Sequence, residues 1–92
     1  WITMGPEGVP GVVLSGHSDV VPVAGQDWSR DPFVLHEQDA RLYGRGTADM
    51  KAFLASALAM VLRLDPARLR TPVHLAISFD EEIGCVGVRS LL

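Results

Sequence analysis

Apolar residues in this chain gather into short runs at both ends and one long run in the middle. Trp1 to Met4 and Val12 to Ser15 flank Gly5-Pro6-Glu7-Gly8-Val9-Pro10-Gly11, a stretch of turn-forming residues that predicts an antiparallel hairpin. Val12-Val13-Leu14 is continuous rather than alternating, which predicts a central strand covered on both faces, with His17 at its carboxyl end. From Val20 to Pro32 there is no periodicity and Pro22, Gly25 and Pro32 intervene, so this is a loop, with Trp28 and Phe33 as its expected anchors. Phe33 to Glu37 and Arg41 to Tyr43 flank Gln38-Asp39-Ala40 as a second short hairpin. Gly44-Arg45-Gly46-Thr47 reads as a tight turn that glycine permits.

From about Ala48 to Leu64 the residues turn to Ala, Leu, Met and Phe, and past Asp49 Lys51, Ser56 and Arg63 interrupt them. This predicts a helix, ended by Pro66, that is apolar nearly all round and whose Met and Phe residues serve core packing. Beyond Pro72, Val73, Leu75, Ile77 and Phe79 alternate with His74, Ala76 and Ser78, the period of a strand. After Gly84 and Gly87, Val88 to Leu92 opens another helix. A strand, a crossover containing a helix and a second strand form a βαβ unit with parallel strands and a right-handed connection. The expected fold class is therefore α/β.

This topology matters because of what it carries to one edge. His17 and Asp19 leave the first strand at its carboxyl end, and Asp80, Glu81 and Glu82 leave the second there. Asp49 sits where the crossover helix begins, at the same edge, where open α/β sheets place their ligands. An imidazole and several carboxylates suit zinc and similar divalent ions. Asp19 can accept the ring N–H of His17 and so fix its tautomer. Each cluster also has a plain structural reading. His-x-Asp is common in loops, Asp49 alone is favoured near a helix N-terminus, and an acidic triplet is often a solvated strand end. Three adjacent carboxylates repel one another unless a cation or solvent relieves them, and it is the convergence of all three clusters that favours a metal.

Other features narrow the field. A chain of 92 residues with net charge -3 is at most one small domain and has no basic field for nucleic acid or an anionic membrane. The apolar stretch Ala52 to Leu62 is shorter than the roughly 20 residues that span a bilayer. A single cysteine, Cys85, excludes an internal disulfide and favours a reducing, cytoplasmic setting; its expected role is a small buried side chain. His36 and His74 lie away from the proposed edge and are not assigned a role. Gly44-Arg45-Gly46 resembles part of a phosphate-binding turn, but Asp49 stands where a third glycine belongs and would repel a phosphate. With no initiator Met, no signal-peptide pattern and an end inside an expected helix, the chain reads as a piece of a longer protein.

Several longer motifs carry a resemblance: Leu14 to Val23, Trp28 with Asp31-Pro32-Phe33, Leu42-Tyr43-Gly44-Arg45-Gly46-Thr47-Ala48-Asp49-Met50-Lys51, and Asp80-Glu81-Glu82-Ile83-Gly84-Cys85. In order, spacing and flanks they resemble the dinuclear zinc family of acetylornithine deacetylase, succinyl-diaminopimelate desuccinylase, carboxypeptidase G and aminoacylase. The Asp80 to Cys85 stretch looks most like acetylornithine deacetylase. The resemblance implies that residues 1–92 are part of a zinc exopeptidase-like catalytic domain, a mixed, mostly parallel sheet flanked by helices with an added β-hairpin. The rest of that domain and a dimerisation lid would lie outside this chain.

The resemblance also implies two zinc ions, with cobalt or manganese as substitutes. His17 would bind one ion and Glu82 the other, with Asp49 bridging; Asp19 would orient His17 and Glu81 would be the general base. A cis peptide is implied at Asp49-Met50. A later acidic ligand and a histidine near the C-terminus are implied too, and neither is in this chain. The expected reaction is hydrolysis of an N-acyl amino acid, N-acetylornithine to ornithine and acetate in arginine biosynthesis, by a cytoplasmic homodimer. Desuccinylase, aminoacylase or dipeptidase activity is the alternative within the family. Outside it, the alternative is a non-enzymatic or nucleotide-binding α/β module whose carboxylates are solvated surface.

Overall fold

The computed structural model describes residues 1–92. Its main sheet has three strands in the order β1-β5-β2, with β1 at Ile2–Met4, β2 at Val12–His17 and β5 at Val73–Ser78. β2 and β5 run parallel, with Val12 opposite Val73 and His17 opposite Ser78. This is the predicted βαβ crossover. The mixed sheet and its helix give the expected α/β class.

β1 does not pair with β2. It lies antiparallel to β5, with Ile2 opposite Leu75, so the predicted hairpin is replaced by two strands that β5 separates. Strand direction is as expected for a hairpin, but a seven-residue connection is long enough to step over a neighbour. β5 thereby takes the central place, and Leu75 and Ala76 are its most buried residues. β2 lies at an edge, and Val12 and Val13 are about half exposed at 53% and 51%. A continuous apolar run reports two apolar faces, not the number of neighbouring strands.

The second hairpin forms between β3, His36–Gln38, and β4, Arg41–Tyr43. Asp39 and Ala40 both have positive φ, 51° and 56°, the two-residue turn whose twist matches antiparallel strands. Gln38 is thus the last strand residue, and Phe33 to Leu35 precede the strand. Phe33 does not anchor the preceding loop, being 70% exposed. Trp28 is held, with its indole N–H donated to Gln26 Oε1 at 3.0 Å and the Arg45 guanidinium 5.1 Å above its ring.

The helix α1 spans Lys51–Val61, shorter at both ends than predicted. Ala48 to Met50 lie in a turn, and the Lys51 N–H reaches the Gly46 carbonyl at 2.8 Å. At the far end Asp65 caps a 3-10 turn at Pro66–Arg68 by accepting the Ala67 N–H at 3.0 Å. Leu54, Ala57 and Val61 form the buried stripe, the i, i+3, i+7 spacing of one helix face. Phe53 and Met60 are partly exposed, so the expectation that the Met and Phe residues of the helix serve core packing is corrected: one face has the sheet to cover it. Likewise Val88 to Leu92 is not an α-helix; a 3-10 turn occupies Gly87–Ser90.

α1 approaches β2 closely at Gly16, where a Cβ would stand 2.7 Å from Leu54 Cδ2 and 2.9 Å from Met50 Cε. The whole is a slab, 49 × 33 × 13 Å, with a radius of gyration of 16.1 Å against roughly 12 Å for a compact domain of this length. No helix is long and apolar enough to cross a membrane.

Candidate metal centre

Parallel register sets the site. Because His17 faces Ser78 across the ladder, the loops that follow the two strands start at the same height on adjacent strands. The Ser18 N–H donates to the Ser78 carbonyl at 3.0 Å and its hydroxyl donates there at 3.2 Å, which extends the pairing one residue past the strands. His17 itself closes β2 rather than following it, and is buried at 4% exposure. Met50 Sδ sits 3.4 Å from its main-chain N–H.

The loop after β5 folds back upon itself. Gly87 N–H donates to the Phe79 carbonyl at 3.1 Å, Val86 N–H to Asp80 at 3.0 Å, and Gly84 and Cys85 N–H groups to Glu81 at 3.0 and 2.9 Å. Asp80 and Cys85 hold positive φ, 53° and 56°, as such a reversal requires. Gly87 forms the neck: a Cβ there would lie 2.1 Å from the Phe79 oxygen. Across the site, Asp19 Oδ2 accepts the Glu82 N–H at 3.0 Å, joining the two strand-end loops. The Asp49-Met50 peptide is cis, as the resemblance implied.

These loops bring the expected residues together. His17, Asp49 and Glu82 each place a ligand atom within 4.8 Å of the others. His17 Nε2 is 3.2 Å from Asp49 Oδ1 and 3.7 Å from Glu81 Oε2. On the ring's other side, Nδ1 lies 3.1 Å from the Asp19 carbonyl and 3.3 Å from Asp19 Oδ1. A carbonyl only accepts, so Nδ1 carries a hydrogen. Asp19 therefore fixes the ring through its main-chain oxygen as well as its carboxylate, a part of its role that side-chain reasoning did not anticipate.

With acceptors at both nitrogens, the ring is best satisfied as an imidazolium. Burial pulls His17 toward its neutral form, but the bond to Asp49, the charge of Glu81 and the two Asp19 contacts outweigh it, and its pKa stands above the ordinary 6.5. Burial pushes the Asp19 carboxyl up, yet the main-chain N–H groups of Glu82 and Glu81 prevail and its pKa is lowered. The position next to Nε2 thus calls for positive charge. A divalent cation there would find an imidazole nitrogen and the Asp49 and Glu82 carboxylates around it, their ligand atoms within 4.8 Å of one another, a donor set that fits zinc-type ions. Asp19 Oδ1, buried and without a hydrogen bond, is also eased when the ring it faces carries or coordinates charge.

Cys85 departs from expectation. It is exposed, not buried, because the loop reversal turns it outward. Its Sγ lies 3.5 Å from Glu81 Oε1, and that hydrogen bond, the Glu81 charge and desolvation push the thiol pKa up. Glu81 Oε2 is left as the carboxylate oxygen nearer the centre. His74 is far from the site and bonds Thr3 Oγ1 at 2.9 Å; His36 lies in the hairpin beside Tyr43. Lys51 was passed over by sequence reasoning, although a charge at the first turn of an apolar helix was a visible signal. Its ammonium donates to the Ser18 carbonyl at 2.6 Å.

Comparison with known proteins adds an independent finding. The family model described as peptidase family M20/M25/M40 matches residues 13–92. An acetylornithine deacetylase of Pectobacterium carotovorum subsp. carotovorum is 45% identical to this chain over 83 residues, covering 90% of the chain and 22% of that relative. The chain thus spans about a fifth of the length of the curated relative it matches.

Proposed function

This chain belongs to peptidase family M20/M25/M40, and on that footing we propose that residues 1–92 form part of the catalytic domain of a metal-dependent hydrolase that cleaves the amide bond of an N-acyl amino acid. The thin shape and partial coverage of the relative support reading the chain as a part of a larger domain. The observation that carries the proposal is the convergence of the His17, Asp49 and Glu82 ligand atoms within 4.8 Å, with Glu81 Oε2 at 3.7 Å from His17 Nε2.

His17, Asp49 and Glu82 would together hold two divalent ions, zinc in the first instance with cobalt or manganese as substitutes. When bound, such ions polarise the amide carbonyl and lower the pKa of water. The chain's own residues do the rest. Asp19 keeps Nδ1 of His17 protonated and Nε2 turned to the centre, which orients the ligand. Glu81, its Oε1 beside the Cys85 thiol, takes the proton of the attacking water on Oε2 and returns it to the departing amine. Further ligands, the dimerisation lid and the contacts that select the acyl group belong to the remainder of the full-length protein.

The acetylated amino acid N-acetylornithine is the proposed substrate, on the strength of the relative's name; desuccinylase, aminoacylase and dipeptidase reactions use the same amide chemistry. A cytoplasmic homodimer is the proposed state. The test is acetate release from N-acetylornithine by the full-length protein, with and without prior chelation. Hydrolysis that survives complete metal removal would sink the metal mechanism, and turnover only of a different N-acyl amino acid would move the substrate assignment.

A further inference from the structure

Two segments that bear site residues meet at Lys51. Its main-chain N–H donates to the Gly46 carbonyl at 2.8 Å. Its ammonium donates at 2.6 Å to the carbonyl of Ser18, the residue between His17 and Asp19. Between these two points the stem passes over Gly46, where a Cβ would stand 3.0 Å from Lys51 Cδ, 3.1 Å from its Cγ and 3.2 Å from Val20 Cγ1. Gly46 also holds φ +85°, so a bare residue is needed there for both reasons. Ser18 in turn bonds Ser78 at the end of β5.

Helix formation alone does not ask for this lysine. Lys51 is the first residue of α1, where the helix dipole disfavours a positive charge. A cation at an unfavourable end, with its ammonium on a main-chain carbonyl of another loop, indicates a tertiary task. Asp49 lies two residues before Lys51, while His17 and Asp19 flank its acceptor.

We infer that Lys51 is a positioning residue of the metal centre, a brace that sets the separation between the His17 imidazole and the Asp49 carboxylate. The inference rests on the metal reading above. Lys51→Met keeps the stem and removes the ammonium; Lys51→Arg keeps a donor. In the full-length protein, zinc affinity is measured by competition with a chromogenic chelator, and the melting temperature of each metal-free variant is recorded beside it. Loss of an orienting contact of this kind costs about 10- to 100-fold in metal affinity. The expected result is that loss for Lys51→Met, recovery of most of it by Lys51→Arg, and metal-free melting temperatures that stay together. Zinc affinity unchanged in Lys51→Met overturns the brace, as does a loss that Lys51→Arg fails to restore while both variants melt earlier. Wild-type protein that takes up no zinc overturns the metal centre itself, a result distinct from a failed brace on a centre that still binds.

Discussion

Asp19 accepts the main-chain N–H of Glu82 at 3.0 Å, across a sequence separation that the parallel strands close. One carboxylate therefore fastens the loop carrying Glu81 and Glu82 while its other oxygen faces His17 at 3.3 Å. Replacing it disturbs two proposed ligands at once. Asp19→Ala should lower metal affinity of the full-length protein by about 10- to 100-fold, and Asp19→Asn, which retains an acceptor for Glu82, by less. Competition titration with a chelator reads both, and equal affinity in all three proteins would remove Asp19 from the site.

Glu81 is assigned proton transfer rather than metal binding, so its loss separates the two. Glu81→Gln should reduce kcat by about 10²- to 10⁴-fold and leave metal content unaltered by elemental analysis. A variant that loses metal along with activity would make Glu81 a ligand instead.

The acidity of the centre follows from its two titrating neighbours, and they act with opposite sign. His17 has a folded pKa above 6.5, so in the metal-free protein its protonated form contributes stability that is full below pH 6.5 and lost as pH rises through the folded value. Metal uptake requires that proton to leave, so affinity should strengthen over the same rise in pH. Asp19, with its pKa lowered below 3.8, contributes stability above that value and loses it as pH falls through the folded one. Denaturation midpoints of metal-free wild type and His17→Gln across pH 5 to 9 check the contribution of His17. Parallel curves for the two proteins would contradict it.

Gly87 has no room for a side chain, since a Cβ would meet the Phe79 oxygen at 2.1 Å and its carbon at 2.9 Å. Backbone cannot swing aside as a flexible side chain does. Gly87→Ala should therefore open the neck of the loop bearing Glu81 and Glu82, costing about 1–3 kcal/mol of stability and weakening metal binding. Thermal melts with and without zinc separate the two effects, and a variant that melts and binds as wild type would show that the loop adjusts freely.

Much of this was legible in the sequence because strand ends are written locally. The alternation from Val73 to Phe79 and the run ending near His17 placed both strands within a residue or two, and the crossover rule made them parallel. What failed were questions of neighbourhood. Nothing in Trp1 to Met4 says whether β2 or β5 is its partner, since both offer an apolar edge, and β5 won. Phe33 read as a loop anchor and Phe53 and Met60 as core, yet burial depends on what lies opposite. Cys85 was misplaced for the same reason: the positive φ at Asp80 and Cys85 that turns the thiol outward belongs to a loop reversal with no periodic signature. The expected convergence of His17, Asp49 and Glu82 is nonetheless found, within 4.8 Å, because it follows first from the parallel pairing of β2 and β5.

The register of β2 against β5 fixes the spacing of the strand-borne groups independently of chain length between them. Insertions or deletions at the β3–β4 tip, or in the stretch from Leu62 to Thr71, change how far the polypeptide wanders before it returns, but His17 and Ser78 still stand abreast. Descendants of this sequence can therefore remodel those excursions, and whatever they touch, while inheriting the same placement of His17 beside the loop that leaves β5.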